Sequence, residues 1–501
     1  MTDDTQTPLD ALHRRLANTL DDAREDATTK RHAKGYRTAR ENLADLVDDD
    51  SFNEYGQLAI AAQRNRRDID TLRTQTAADG VITGTATING QPVAVVVYDY
   101  AVLAGTQGYF HHQKLDRIFE VAHKQNLPVV MFTEGGGGRP GDTDVTTQIA
   151  GLNLTSFAAW AKLRGHVPRI AIANGYCFAG NAALFGCADI TIATKTSWIG
   201  MGGPAMIEGG GLGTFAATSI GPIEVQQANG VVDIVADDEA DATRIAKQLL
   251  GYFNHSLDGW QCADQALLRD AIPADRRFGY PVRPVIETLA DTDSFIELRQ
   301  HCARPMITGL MRIEGEPVGV IANDCQQLGG AIDSAAADKA ARFLNLCDAL
   351  DLPIVSLTDT PGFMVGPDSE QEGAVRRMAA LFTAGAALTV PVVAIVLRRG
   401  YGLGAMAMAG GSFVVPVYTA AWPAGEFGGM GLEGAVRLGY KKELEACTDE
   451  AEREQLFESL VAKMYAIGKA TEAAAHLEID AVIDPADTRD VIVRALAGVG
   501  R

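Results

Sequence analysis

The sequence predicts an α/β protein built from two copies of one domain. Three observations carry this: an internal repeat at a spacing of 225 residues, alternating strand and helix patterns in both halves, and a glycine-rich turn at the same place in each. The repeat is plainest where ITGTATINGQPVAVVVYD (82–99) answers ITGLMRIEGEPVGVIAND (307–324). It runs without a gap through Gly105/Gly330, Lys114/Lys339, Arg117/Arg342 and Leu127-Pro128/Leu352-Pro353 to Thr133/Thr358. About a third of these paired positions are identical, against under about a tenth by chance at average composition. Upstream, LVDDDSFNE (46–54) answers LADTDSFIE (289–297). A unit this long is a domain that occurs twice, not a solenoid repeat. The two domains are expected at 1–270 and 285–501, with 250–300 as a connector.

Each half then reads in the same order. The polar segment before Arg31 reads as a partner-facing helix. PVAVVVYD and PVGVIAND are short, β-branched apolar runs, as buried strands should be. Helical stretches follow at 108–126 and 334–351, the second with Ala336, Ala340, Phe343, Leu344 and Cys347 at helical spacing. His111-His112 reads as polar helix surface. A second strand follows in each half (LPVVMFT; LPIVSLT), then a glycine-rich loop and a helix (146–163; 370–388). A third strand (VPRIAIAN; VPVVAIVL) leads into the turn. Strand–helix–strand order implies right-handed crossovers and mostly parallel pairing.

Composition excludes several classes. Apolar residues make up 47% and charged residues 22%, an ordinary globular balance, and the formal charge is −20. A broad nucleic-acid or anionic-membrane surface is therefore not expected. The N-terminus is acidic, without the apolar core of a signal peptide. The longest apolar stretch, 381–397, falls short of the roughly 20 residues a membrane span needs. Seven scattered cysteines without C-x-x-C read as buried thiols in a reducing cytoplasm. The nine histidines show no metal-ligand spacing, so no metal is expected.

The turns carry the chemistry. NGYCFAGNAA (174–183) answers RRGYGLGAMA (398–407), with Gly180 matching Gly404. In both, a strand enters a turn and then a helix of small residues. Such a turn lets backbone N–H groups approach a ligand and stabilise a developing oxyanion. A tight packing turn is the alternative, but two at equivalent positions favour a paired site. Dinucleotide, P-loop and nucleophile-elbow spacings do not occur. In AMAMA (405–409), Ala407 occupies the place of a biotinyl lysine.

Several stretches carry a family resemblance over nearly the whole chain: KRHAKGYRTARENLADLVDDDSF (30–52), INGQPVAVVVYDYAVLAGTQG (88–108), AIDSAAADKAARFLNLCDALDLPIVSLTDTPGFMVG (331–366), AWPAGEFGGMGLEGAV (421–436) and IDPADTRDVIVRAL (483–496). The sequence resembles the carboxyltransferase (β) subunits of biotin-dependent acyl-CoA carboxylases, in the crotonase-like superfamily. The resemblance implies two crotonase-like β-β-α superhelix domains. It implies transfer of a carboxyl group from carboxybiotin to the α-carbon of a short-chain acyl-CoA, acetyl or propionyl. The alternatives are a decarboxylase-type carboxyltransferase acting on a malonyl-type thioester, and a non-catalytic scaffold of the same fold. By resemblance the oxyanion donors are Gly180 and Asn181 in one half and Gly404 and Ala405 in the other. Ala407 falls at the family's acyl-specificity position. Gly136, Gly137 and Gly362 are further substrate-binding candidates. Arg139 is read equally as a CoA-phosphate contact or as surface. The resemblance also implies a biotin carboxylase and a biotin carboxyl carrier protein as partners, and a hexamer. Two departures stand out: Asn181 where relatives usually have a second glycine, and TEGGGGRPGD (133–142) where many relatives have S-G-G-A-R.

Overall fold

The computed structural model describes residues 7–146, 149–253 and 256–498. The chain divides into two compact units, Met1–Asn254 and His255–Arg501. The elements at 256–298, expected as a connector, pack into the second unit. Leu268, Tyr280, Val282, Val285 and Ile286 are buried in its core.

Each unit is a twisted sheet whose strands follow one another across it in chain order. In the first unit these are Asn53–Tyr55, Val81–Ile88, Gln91–Tyr98, Val129–Phe132, Arg169–Ala173, Ile190–Thr194 and Ile234–Ala236. In the second they are Ile296–Leu298, Met306–Ile313, Glu316–Asn323, Ile354–Thr360, Val392–Tyr401, Tyr418–Ala421 and Ala481–Val482. The first three strands of each sheet pair antiparallel, and the rest are parallel. A sheet that grows in one direction by crossovers is a spiral, which is the β-β-α superhelix expected. The long hairpins share their register, Ile88 opposite Gln91 and Ile313 opposite Glu316. Both turns place two residues at positive φ, Asn89-Gly90 and Glu314-Gly315, as a tight two-residue hairpin requires.

The duplication extends to buried polar groups. Lys114 lies in the helix Tyr109–Gln125 and donates to the carbonyls of Ala78 and Val81. Lys339 lies in the helix Ser334–Ala349 and donates to Arg299, Cys302 and Met306 at 2.9, 3.0 and 2.6 Å. Each lysine staples its helix to the start of a long strand. Burial pulls both ammonium groups down to about 8.

Four expectations change. His111 and His112 are buried rather than on the surface, because Asp79 Oδ2 accepts from the His111 N–H and draws that helix end inward. Burial holds both imidazoles below their ordinary value, and so neutral. The helix expected at 146–163 is only Ser156–Lys162, and Thr147 and Gln148 lie outside the described residues. The one expected at 370–388 is split into Pro367–Gln371 and Ala374–Ala386 by Gly373 at φ +75°. Of the seven thiols, Cys177, Cys325 and Cys347 are buried, Cys187 is exposed and the other three are half-buried, all free. No described helix is long and apolar enough to cross a membrane.

Candidate active site

Each turn is held by its own sheet. In the first unit the strand Arg169–Ala173 is followed by the short strand Tyr176–Phe178, then Ala179, then the helix Gly180–Gly186. Ala179 sits at φ 51°, ψ −119°, a conformation that costs an alanine about 1–3 kcal/mol. Its N–H donates to Gly200 O at 2.9 Å. In the second unit the strand Val392–Tyr401 runs straight into the helix Gly402–Met408, with Gly402 at φ +59°. First-turn helix residues lack intrahelical acceptors. Among the described residues, no protein acceptor meets the N–H of Gly180, Asn181 or Gly404.

A loop from the preceding strand closes over each turn. Gly137 and Gly362 are equivalent in the repeat, and both have positive φ, +93° and +117°. Gly137 O accepts from Gln107 N at 2.8 Å, and Gly362 O accepts from Ile332 N at 3.0 Å. Gln107 and Ile332 are again equivalent positions. A Cβ on Gly404 would stand 2.8 Å from Gly362 Cα, and one on Gly137 would stand 2.7 Å from Ala179 Cβ. Loop and turn thus touch at backbone distance in both units, and glycine is what permits it.

An anchored acid lies behind each loop. Glu134 and Asp359, at equivalent positions, end the second core strand and are buried. Arg31 binds Glu134 through both terminal nitrogens, one at 2.9 Å. Burial nevertheless pushes the Glu134 carboxyl up to about 7. Asp359 takes Arg398 Nε at 3.0 Å and Arg399 Nε at 2.6 Å. Sequence reasoning missed this pair, although an acid follows the paired Thr133/Thr358 in both halves. Arg31 itself packs into its own unit, while the helix Pro8–Ala17 in the segment before it has no buried residue.

The other sequence candidates fall as follows. Gly136 donates to Ala104 O at 3.1 Å and supports the first loop. Arg139 is neither surface nor open to a phosphate. Its side chain is buried, Nη1 lies 2.5 Å from Asp79 Oδ1, and Nη2 lies 2.8 Å from Thr106 O. The anion it holds is the protein's own. Ala405 and Ala407 are fully buried in the second turn helix. Gln107 went unnoticed in the sequence. Its Oε1 would lie 2.2 Å from a Cβ on Gly180, and its Nε2 donates to Tyr98 Oη at 2.9 Å. Among the described residues no cluster of His, Cys, Asp or Glu could hold a metal.

Comparison with known proteins bears on this arrangement. The carboxyl transferase domain family matches residues 30–498. The 12S subunit of methylmalonyl-CoA carboxyltransferase from Propionibacterium freudenreichii subsp. shermanii is 34% identical, over 94% of this chain and 90% of its own. A crystal structure of a transcarboxylase 12S hexamer with methylmalonyl-CoA bound is 31% identical, with a TM-score of 0.87 over 99% of this chain and 96% of that one. The structure of a single-chain, multi-domain long-chain acyl-CoA carboxylase is 54% identical, with a TM-score of 0.92 over 98% of this chain. This chain spans 49% of that protein, about half its length.

Proposed function

The chain belongs to the carboxyl transferase domain family and transfers a carboxyl group between biotin and an acyl-CoA, and we propose how its residues do so. Each unit serves as one carboxyltransferase domain and supplies one oxyanion site. Gly180 and Asn181 form the first, Gly404 and Ala405 the second. The observation that carries this reading is the unmatched N–H groups at equivalent turns. Carboxybiotin, delivered as a substrate on a carrier protein, supplies carbon dioxide and a ureido anion that takes the α-proton of the thioester. The thioester enolate then attacks carbon dioxide. Charge develops on two oxygens, the thioester carbonyl and the biotin ureido oxygen, and each needs fixed donors. The loop glycines 136, 137 and 362 keep side chains out of the space in front of those donors. Ala407 bounds the acyl pocket from behind the second turn.

Methylmalonyl-CoA is propionyl-CoA carboxylated at its α-carbon, so the 12S relative supports a short-chain acceptor. The 54% identity to a long-chain acyl-CoA carboxylase supports longer thioesters as well. A biotin carboxylase and a biotin carrier are the expected partners. The hexameric 12S relative supports six copies in solution, which light scattering checks. Seven free thiols and a CoA substrate suit the cytoplasm. The test is a panel of acetyl-, propionyl-, butyryl- and palmitoyl-CoA assayed with carboxylated carrier protein. At least one thioester should take up the carboxyl group, and transfer to none of them would refute the reading.

A further inference from the structure

We propose that the Asn181 side chain is a positioning residue that clamps the first turn to the loop in front of it; this rests on the oxyanion role of that turn. By the family resemblance a glycine is expected here, and a side chain at this point first reads as an obstruction. The geometry argues otherwise. Asn181 is completely buried, and its side-chain amide is fully engaged with the protein. Its Nδ2 donates to Thr133 O at 3.1 Å and to Gly105 O at 3.3 Å. Its Oδ1 accepts from Gly137 N at 3.0 Å. One amide therefore joins Thr133 just past the second core strand, the loop at 103–105, and Gly137 in the glycine loop.

The fit is tight. A Cβ on Gly135 would lie 2.3 Å from Asn181 Nδ2 and 2.1 Å from Gly105 O, so the glycine loop makes room for this amide. All the hydrogen-bonding capacity that a buried Asn needs most is met, two donors and one acceptor. The second unit has no such side chain. Ala405 stands at the equivalent place, and Arg399 binds Gly329 O and Asp359 there instead. The four glycines at 135–138 and the Asn181 side chain thus fit one another. Four consecutive glycines have no side chains with which to fix their own conformation, and Asn181 fixes it for them. Because the same residue supplies a backbone N–H to the oxyanion site, holding its side chain also holds that N–H in direction.

The experiment uses the intact chain with Asn181→Ala and Asn181→Asp. Asn181→Ala keeps the backbone donor and removes all three bonds. Asn181→Asp keeps the acceptor for Gly137 N and sets charge against two carbonyls. The first readout is hydrogen exchange of the 133–139 segment, with 358–364 as internal control. The second is kcat and KM for the best thioester of the panel. Both variants should exchange at least about tenfold faster in 133–139 and unchanged in 358–364. Their kcat should fall about 10- to 100-fold, short of the 10²–10³ for a lost donor, with KM within about threefold. Unchanged exchange, or faster exchange with unchanged kcat, would overturn the proposal. Should Asn181→Ala not fold, Asn181→Ser, which retains one donor, takes its place with the same reading. A wild-type chain inactive on the whole panel would sink the functional reading. A wild-type-like exchange pattern in the variants would sink this one.

Discussion

Arg139 shows how a single side chain changes meaning once its neighbours are known. In sequence it is the one cation in a glycine loop, read equally as a phosphate contact or as surface. In the fold it neutralises Asp79, which comes from 60 positions away, and no periodicity announces that pairing. Removing one partner of a buried ion pair costs about 3–5 kcal/mol. Arg139→Ala should therefore lower stability by that order in chemical denaturation; a substrate-contact role would instead raise KM for the thioester without loss of stability. The paired lysines make a second case, with a pH signature. Their folded pKa of about 8 lies below the ordinary 10.5. Between these values the unfolded chain binds protons that the folded chain does not. Each lysine therefore destabilises the fold below pH 8, and that penalty is relieved as pH rises to 10.5. The contribution is up to about 3 kcal/mol each. Unfolding free energies of wild type and Lys339→Met, measured from pH 7.5 to 10.5, should differ in slope, with the wild type gaining more. Parallel profiles would contradict it. The lysines were visible in the sequence as an identity at the repeat spacing; their burial was not, because a helix pattern marks a face and not what lies above it.

The turns are where sequence and structure agree most closely at the level of elements. Strand, glycine turn and small-residue helix were all legible, since glycine spacing and strand patterns are local signals. The glycine-rich loops were legible too, but not that they close over the turns, because their register depends on backbone bonds from Gln107 and Ile332 in the neighbouring segment. That packing gives an asymmetric expectation. A Cβ at Gly404 collides with the backbone of Gly362, which cannot move alone. A Cβ at Gly180 meets Gln107 Oε1, the end of a flexible side chain. Gly404→Ala should thus cost more in kcat than Gly180→Ala, on the order of 10² or more against about tenfold. Steady-state kinetics on both variants, with thermal melts to confirm folding, checks this. The reverse order would mean that the turns are not held as described. Where the helix patterns failed, at 146–163 and 370–388, glycine or a short loop interrupts a run that looks continuous in composition.

At the scale of the molecule, duplication is the organising fact, and one chain sufficed to see it. From the first long strand to the glycine loop, repeated identities, hairpin registers and positive-φ residues fall at the spacing of 225, as expected if one domain was copied whole. The copies then diverged where each turn is anchored, through Asn181 and Arg31 in one and Arg398 and Arg399 in the other. Two alike turns with unmatched donors suit a reaction in which charge appears on two oxygens in succession. The most direct measurement is single-turnover transfer of an isotopic carboxyl label from carboxylated carrier protein to acyl-CoA by this chain. The label should appear on the α-carbon of the thioester, at one equivalent per active site, and its transfer should slow when either turn is altered in a protein that still folds. Label that stays on biotin with the wild-type chain, or transfer that is not slowed by alteration of both turns, would contradict the account.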